Sequence, residues 1–274
     1  MNLFAPAQIA ENYIAVGKAK VNTPVLKMFL LAVMAGIFIA FGGAAATTAA
    51  VSIEAPSVGK LVGACIFPGG LTMVLLAGSE LFTGNCLLTI PLFQKEITVG
   101  QMLKNWIVVY IGNFVGGMAV AAGIVFSGQA SLFNNGMAVS VISAAASKCT
   151  MSFGDALLKG IMCNFLVCIA VWIAFAAKDV AGKILGLFFP VMMFVLCGFE
   201  HSVANMYYIS AGLFAKGVDT YHQAAMAAGV DMSALTWQGF FIKNLLPVTI
   251  GNIIGGGILV GCTYWFIYLH KRKS

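Results

Sequence analysis

Hydrophobic residues are grouped along the chain into six long runs that short polar segments separate. The runs lie at 28–51, 61–92, 103–127, 156–177, 184–215 and 239–269. Because a helix needs about 20 apolar residues to cross a bilayer, each run is long enough to span it once. The pattern therefore predicts six membrane-spanning helices in one transmembrane domain, residues 28–270, followed by a basic tail at 271–274.

The segment before the first run mixes polar and apolar positions. Residues 1–27 carry Glu11, Lys18 and Lys20 among apolar side chains. This pattern is typical of a short amphipathic helix that lies on a membrane surface. A cleavable signal peptide fits less well, because the polar leader is long and the first run is of full spanning length.

Composition supports the membrane assignment. Hydrophobic residues make up 61% of the chain and charged residues 9%, which is far from a soluble domain. The net charge of +6 is scattered between apolar runs and forms no basic face, so the predicted partner is the lipid bilayer and not nucleic acid. The seven cysteines contain no CxxC pair and are interpreted as buried small hydrophobes. No metal and no cofactor are predicted.

The distribution of lysines predicts the orientation. Six spans place both termini on one side, and the positive-inside rule assigns that side to the cytoplasm of a multi-pass protein of the inner (plasma) membrane. The lysines on that side are Lys18, Lys20, Lys27, Lys95, Lys104, Lys178 and Lys183, with the basic tail. Those on the outer side are Lys60, Lys148, Lys159, Lys216 and Lys243.

The third and sixth runs share polar and glycine positions at one constant offset. The shared pairs are Lys104-Asn105, Gly112-Asn113 and Gly116-Gly117, against Lys243-Asn244, Gly251-Asn252 and Gly255-Gly256. Coincident lysine, asparagine and glycine residues are not expected by chance in an apolar chain. The chain therefore contains an internal repeat.

The second and fifth runs repeat as well. Gly78, Glu80 and Asn85 recur as Gly198, Glu200 and Asn205. The two halves, 28–127 and 156–269, each contain three spans, so the second copy enters the membrane from the opposite face. The predicted fold is an all-α membrane protein of two inverted three-helix repeats, in which helices 2 and 5 are broken.

Glu80 and Glu200 explain why the second and fifth runs are exceptional. An ionisable residue at the centre of a membrane helix costs at least about 2.5 kcal/mol, so it is expected to be buried in protein and functional. Each glutamate follows a glycine and precedes an asparagine. We interpret Glu80, Glu200 and Asn85 as a scaffold that satisfies the backbone at the two helix breaks, with direct contact to a permeating solute as the alternative.

His201 distinguishes the two breaks, because the first break has Leu81 at that position. A lone histidine on an apolar face is usually a core residue, but the duplicated break favours a pore-lining role for His201, with Thr83 of the other half as its neighbour. Nearby apolar residues are interpreted either as helix packing or as hydrophobic constrictions that exclude hydrated cations. They are Phe67, Leu71, Leu81 and Phe194.

Two stretches resemble the signature sequences of the formate/nitrite transporter family. They are residues 78–85, GSELFTGN, and residues 159–168, KGIMCNFLVC. The resemblance covers the whole chain, including the amphipathic leader and residues 198–205, GFEHSVAN. It implies an aquaporin-like fold assembled as a homopentamer, with one pore per protomer for formate, nitrite or hydrosulfide.

The resemblance also implies roles for individual residues. His201 and Thr83 face each other at the pore centre, with Asn205 nearby, and Lys148 folds towards them. Sequence alone places Lys148 in a loop before the fourth span. The constrictions are implied on the outer side by Phe67 and Phe194 and on the inner side by Leu71 and Leu81.

Passive or proton-coupled transport of small monovalent anions is thus the predicted function, and three alternatives were weighed. A neutral-solute channel of the aquaporin or ammonia type is the first, although the chain has no Asn-Pro-Ala pair. An intramembrane enzyme is the second, although HExxH, GxSxG and an intramembrane aspartate pair are missing. A purely structural membrane protein, the third, leaves the repeated polar breaks unexplained.

Overall fold

The structure is a computed structural model that describes residues 3–270. The predicted basic tail, 271–274, lies outside the described residues. In chain order the helices are α1 (Pro6–Asn22), α2 (Val25–Ala50), α3 (Pro56–Gly78), α4 (Phe82–Phe93), α5 (Val99–Phe126), α6 (Gly136–Cys149), α7 (Phe153–Ala176), α8 (Val180–Leu196), α9 (Ser202–Lys216), α10 (Asp219–Ala227) and α11 (Gly239–Tyr268).

Five of these helices are long and apolar enough to cross a membrane. They are α2, α3, α5, α7 and α11. The second predicted run is divided between α3 and α4, and the fifth is divided between α8 and α9. The fold is therefore all-helical with several membrane-length helices, as predicted, and the count of six spans stays a prediction.

The bundle has two ends, which we name after the short helices that lie there. Helix α2 contains 26 residues and is about 39 Å long, so its two termini lie at opposite ends. Helix α1 lies next to the N-terminus of α2, and we call this end of the bundle the α1 end. Helix α6 lies at the other, the α6 end, where the Oγ1 atom of Thr48 is 3.8 Å from the Sδ atom of Met137.

Helix α1 packs one face against the bundle. Its buried face, which includes Ile9 and Tyr13, contacts α4 and α5. Lys20 forms an ion pair of 2.9 Å with Glu80. The amphipathic helix was predicted from its sequence pattern, but its apolar face is covered by the bundle, because the chain turns back at Thr23 and Pro24.

Sequence patterning did not predict α6 and α10. The structure places Lys148 in the last turn of α6, so its assignment to a loop was wrong. Both helices are short and follow polar connections, where hydrophobic periodicity is weak. Helix α6 presents Lys148 to Glu200 in the interior of the bundle.

Glycines allow close helix contact at equivalent places in the two repeats. A Cβ atom added to Gly116 of α5 would overlap the backbone oxygen of Val33 in α2. A Cβ atom added to Gly255 of α11 would overlap the backbone oxygen of Ile161 in α7. Such close approach of small residues is how membrane helices gain packing energy without a hydrophobic driving force.

We expect Gly116→Val to destabilise the protein, because the new side chain collides with the backbone of α2. Overpacking of this kind costs about 1–3 kcal/mol or more when backbone must move. Gly123→Val in the same helix is the matched control, since no atom lies within 4 Å of the added Cβ. The thermal midpoint in detergent should fall for Gly116→Val alone; equal midpoints for both variants would refute this packing argument.

Candidate functional site

Two interruptions of helical structure face each other inside the bundle. Helix α3 ends at Gly78, with φ +82°, and α4 begins at Phe82. Helix α8 ends at Leu196, Gly198 has φ +70°, and α9 begins with Ser202. Positive φ is the left-handed region that glycine adopts without strain, so both turns depend on a glycine.

An asparagine satisfies the freed backbone at each break. The Oδ1 atom of Asn113 accepts the N–H of Phe82 at 2.9 Å, and its Nδ2 atom donates to the carbonyl of Glu80 at 2.9 Å. Asn252 makes the matching bonds in the second break, at 2.9 and 3.0 Å. The repeated Gly-Asn pairs therefore supply the backbone partners that a break inside a membrane requires.

Glu200 is the centre of a buried ionic network on the α6 side of its break. Its carboxylate accepts from Lys148 Nζ at 2.8 Å, Asn205 Nδ2 at 2.6 Å and Asn244 Nδ2 at 3.3 Å. The residue is 5% exposed. A buried carboxylate persists when a cation and further donors compensate the loss of water, and all three donors do so here.

Glu80 has the same arrangement on the α1 side. Its carboxylate accepts from Lys20 Nζ at 2.9 Å and from Asn85 Nδ2 at 2.7 Å, and Asn85 also donates to Asn105 Oδ1 at 2.9 Å. We had expected the glutamates and Asn85 to bond the freed backbone. Their side chains instead bond each other and a lysine, since Asn113 and Asn252 already occupy the backbone groups.

Lys20 is a member of the site that sequence reasoning missed. The backbone carbonyl of Leu31 accepts the amide N–H of Glu80 at 3.2 Å, and that of Lys159 accepts the amide N–H of Glu200 at 3.3 Å, so these two residues are equivalent. Leu31 and Lys159 are 128 residues apart, and Lys20 and Lys148 are separated by the same 128 residues. The repeat thus extends to the short helices α1 and α6. Extending the comparison of the two halves beyond the spans would have revealed the pair.

Thr83 and His201 are in contact across the two repeats. The Oγ1 atom of Thr83 lies 2.8 Å from Nε2 of His201, and the N–H of Ala204 donates to Nδ1 of the same ring at 3.0 Å. Because Nδ1 is the acceptor, the neutral imidazole carries its proton on Nε2 and donates it to Thr83. The hydroxyl proton of Thr83 then has no acceptor among the described residues.

Asn164 holds the backbone beside this pair. Its Nδ2 atom donates to the carbonyl of Thr83 at 3.2 Å and to the carbonyl of Asn252 at 2.7 Å. The Sγ atom of Cys168 lies 3.4 Å from the same Thr83 carbonyl. Asn164 therefore connects the first break to the asparagine that holds the second. The second signature stretch contains both Asn164 and Cys168, but spacing alone did not reveal their role.

A cavity of about 600 Å³ leads from the α6 end to His201. Its lining includes the cations Lys60, Lys148 and Lys159, together with Glu200 and Asn205. The rings of Phe67 and Phe194 lie at its inner limit, with centroids 5.7 Å apart in an edge-to-face arrangement. Phe194 also stacks on His201 at 5.8 Å.

Behind these rings lies a second, very small cavity. It measures about 10 Å³ and is lined by His201 together with Leu71, Leu81, Phe67 and Phe194 among other apolar residues. A space of this size holds about one water molecule at most. The four predicted constriction residues therefore do surround one point, and the only side chain there with polar atoms is that of His201.

Comparisons with known proteins agree with this architecture. The family model described as formate/nitrite transporter matches residues 7–266. The chain is 38% identical to a probable formate transporter of Methanothermobacter thermautotrophicus over 97% of this chain and 98% of that protein. It is 38% identical to the formate channel FocA of Escherichia coli (strain K12), over 99% of this chain and 96% of that protein.

A solved structure has the same fold. The structure described as a pentameric formate channel with formate bound superposes with a TM-score of 0.80 and 34% identity, over 90% of this chain and 98% of that one. Both the sequence and the structural similarity extend over nearly the whole length. The chain belongs to the formate/nitrite transporter family.

Proposed function

We propose that the chain forms a membrane pore for small monovalent anions, namely formate, nitrite or hydrosulfide, which pass by passive or proton-coupled transport. The observation that carries this proposal is the contact between Thr83 and His201 at the inner limit of a cavity lined by lysines. The lysines attract anions, and the apolar residues of the constriction strip water from them. At His201 and Thr83, hydrogen-bond donors replace the lost water molecules.

The first step is capture at the α6 end. A cavity with several lysines raises the local concentration of anions relative to bulk solution. Lys148 remains paired with Glu200, so the carboxylate offsets its charge and most of the positive potential in the cavity comes from the other lysines. Asn205 shares the same carboxylate and holds the network against α9.

The second step is passage through the constrictions. A desolvated anion is expensive in an apolar ring, whereas the neutral acid of a weak-acid anion crosses at far lower cost. At the midpoint the substrate replaces the Thr83 oxygen as the acceptor of Nε2–H of His201, and the hydroxyl of Thr83 donates a second hydrogen bond to it. Phe67 and Phe194 are proposed to form the constriction towards the α6 end, and Leu71 and Leu81 the one towards the α1 end.

Orientation and assembly complete the proposal. Because lysines are more numerous at the α1 end, we assign that end and both termini to the cytoplasm of the inner membrane. One solved relative is described as pentameric, which supports a homopentamer with one pore in each protomer. The assigned architecture is one transmembrane domain with repeats at 28–127 and 156–269. Glu80, Glu200 and Asn85 serve as scaffold, and no enzymatic step is proposed.

A neutral-solute channel is the alternative, and the cavity argues against it. Lysines that line an entrance add nothing to the binding of an uncharged solute such as glycerol. The relatives described as formate channels support the same preference.

The test is solute flux in liposomes that contain the purified protein. We expect saturable flux of at least one of formate, nitrite and hydrosulfide, and glycerol flux equal to that of protein-free liposomes. The ratios among the three anions name the substrate. Flux of glycerol without flux of any of the anions would contradict the proposal.

A further inference from the structure

The cavity at the α6 end contains two lysines without an acidic partner. Lys148 is paired with Glu200, the one carboxylate in its lining. Within residues 3–270, Lys60 and Lys159 form no ion pair; the closest polar contact of Lys159 Nζ is the thioether of Met151 at 3.9 Å. The cavity therefore has an excess of two positive charges.

Both lysines lie beside the second helix break. The Nζ atom of Lys60 is 3.0 Å from the position that a Cβ atom added to Gly198 would occupy, so the ammonium group lies beside the backbone of Gly198. The carbonyl of Lys159 accepts the amide of Glu200 at 3.3 Å. Two cations thus line the same cavity as His201, on the route from the α6 end to the proposed pore centre.

Neither charge is present at the equivalent position of the other repeat. Leu31 corresponds to Lys159, because its carbonyl accepts the amide of Glu80 at 3.2 Å. Val180 corresponds to Lys60, because Lys60 precedes Gly78 by 18 residues and Val180 precedes Gly198, the equivalent glycine, by the same number. Leu31 keeps the carbonyl contact that Lys159 makes, and valine stands in place of Lys60 in the second repeat, so the scaffold does not require the two charges. They serve the α6 end alone.

We propose that Lys60 and Lys159 form a second anion-binding site in the mouth at the α6 end, distinct from the site at His201, and that the opposite mouth has no equivalent. This inference rests on the proposed pore function. The site recognises charge, so it also binds the divalent anion sulfate. Sulfate does not pass the constrictions, because the cost of removing water from an ion rises steeply with its charge. It therefore blocks the pore from one side.

The experiment measures formate flux in right-side-out and inverted membrane vesicles with sulfate added on one side. Gluconate keeps the ionic strength constant. We expect sulfate to inhibit the unmodified protein from the α6 side only. In the variant K60Q/K159Q the half-inhibitory sulfate concentration should rise about tenfold, the change expected for loss of about 1.4 kcal/mol of binding. A thermal midpoint in detergent equal to that of the unmodified protein shows that the variant is folded, and each inhibition is expressed relative to the flux of the same protein without sulfate.

Lys243→Gln is the matched control, because Lys243 is exposed, lies on the same predicted side and does not line the cavity. Its sulfate inhibition should equal that of the unmodified protein. Equal inhibition from both sides, or unchanged inhibition in K60Q/K159Q, would overturn the second site. A lack of formate flux in the unmodified protein would instead overturn the pore function.

Discussion

Replacing His201 by asparagine is expected to lower formate flux about tenfold or more. Asparagine is a good N-cap, so it retains an acceptor for the N–H of Ala204. It does not reach Thr83, and the donor from Nε2 is lost at the driest point of the pore. A hydrogen bond to a charged group contributes about 1.5–3 kcal/mol, which corresponds to a tenfold to hundredfold change. Labelled formate uptake into liposomes measures the effect.

Thr83→Val tests whether the pair acts as a unit. Valine has the shape of threonine without its hydroxyl, so packing is kept. Because Thr83 and His201 bond each other at 2.8 Å, their effects should not add: the double variant should resemble the more impaired single variant. Additive losses would show that the two residues act independently.

If His201→Asn transported formate as fast as the unmodified protein, His201 would contribute to packing and not to transport.

Glu200→Ala is expected to destabilise the folded protein by about 3 kcal/mol or more. Removing one partner from a buried ion pair leaves the other charge without compensation. Lys148 would lose its carboxylate partner, and Asn205 and Asn244 would each lose one of their two acceptors. The thermal midpoint of the purified protein in detergent measures the loss, and Glu80→Ala should lower it similarly, since Glu80 also accepts from a lysine and an asparagine.

The control for both variants is Glu54→Ala. Glu54 is exposed and takes part in none of the ion pairs found within residues 3–270. Its replacement should leave the thermal midpoint almost unchanged. If Glu200→Ala unfolded at the same temperature as Glu54→Ala, the ionic network would not stabilise the break, and the scaffold role of the glutamates would be refuted.

Hydropathy was sufficient to predict where the long helices lie. The run predicted at 103–127 corresponds to Val99–Phe126, and the run at 156–177 corresponds to Phe153–Ala176. Such runs are continuous because lipid accepts apolar side chains on every face. The positions of the two breaks were also evident, because a glycine and a glutamate interrupt an otherwise apolar run at Gly78 and Gly198.

The pairing of polar groups could not be predicted in the same way. Lys148 and Glu200 are 52 residues apart, and Lys20 and Glu80 are 60 residues apart. Spacing along a chain predicts contacts within one helix, whereas these contacts depend on how separate helices pack. For the same reason the sequence did not reveal that Asn113 and Asn252, rather than the glutamates, hold the freed backbone.

The comparison of the repeats separates scaffold from function. Residues that hold the backbone at the breaks, such as Asn113 and Asn252, are the same in both halves. At the contact between the two breaks the halves differ: His201 corresponds to Leu81, and Thr83 corresponds to Val203. Each half thus contributes one polar residue where its counterpart is apolar, and the two meet at 2.8 Å.

The central claim is that anions cross the membrane at the contact between Thr83 and His201. Uptake of labelled formate by liposomes that contain the unmodified protein or His201→Asn, at equal protein content, tests it most directly. We predict saturable uptake by the unmodified protein that falls at least about tenfold in the variant. Equal uptake by the two proteins, or uptake by neither above that of empty liposomes, would contradict the account.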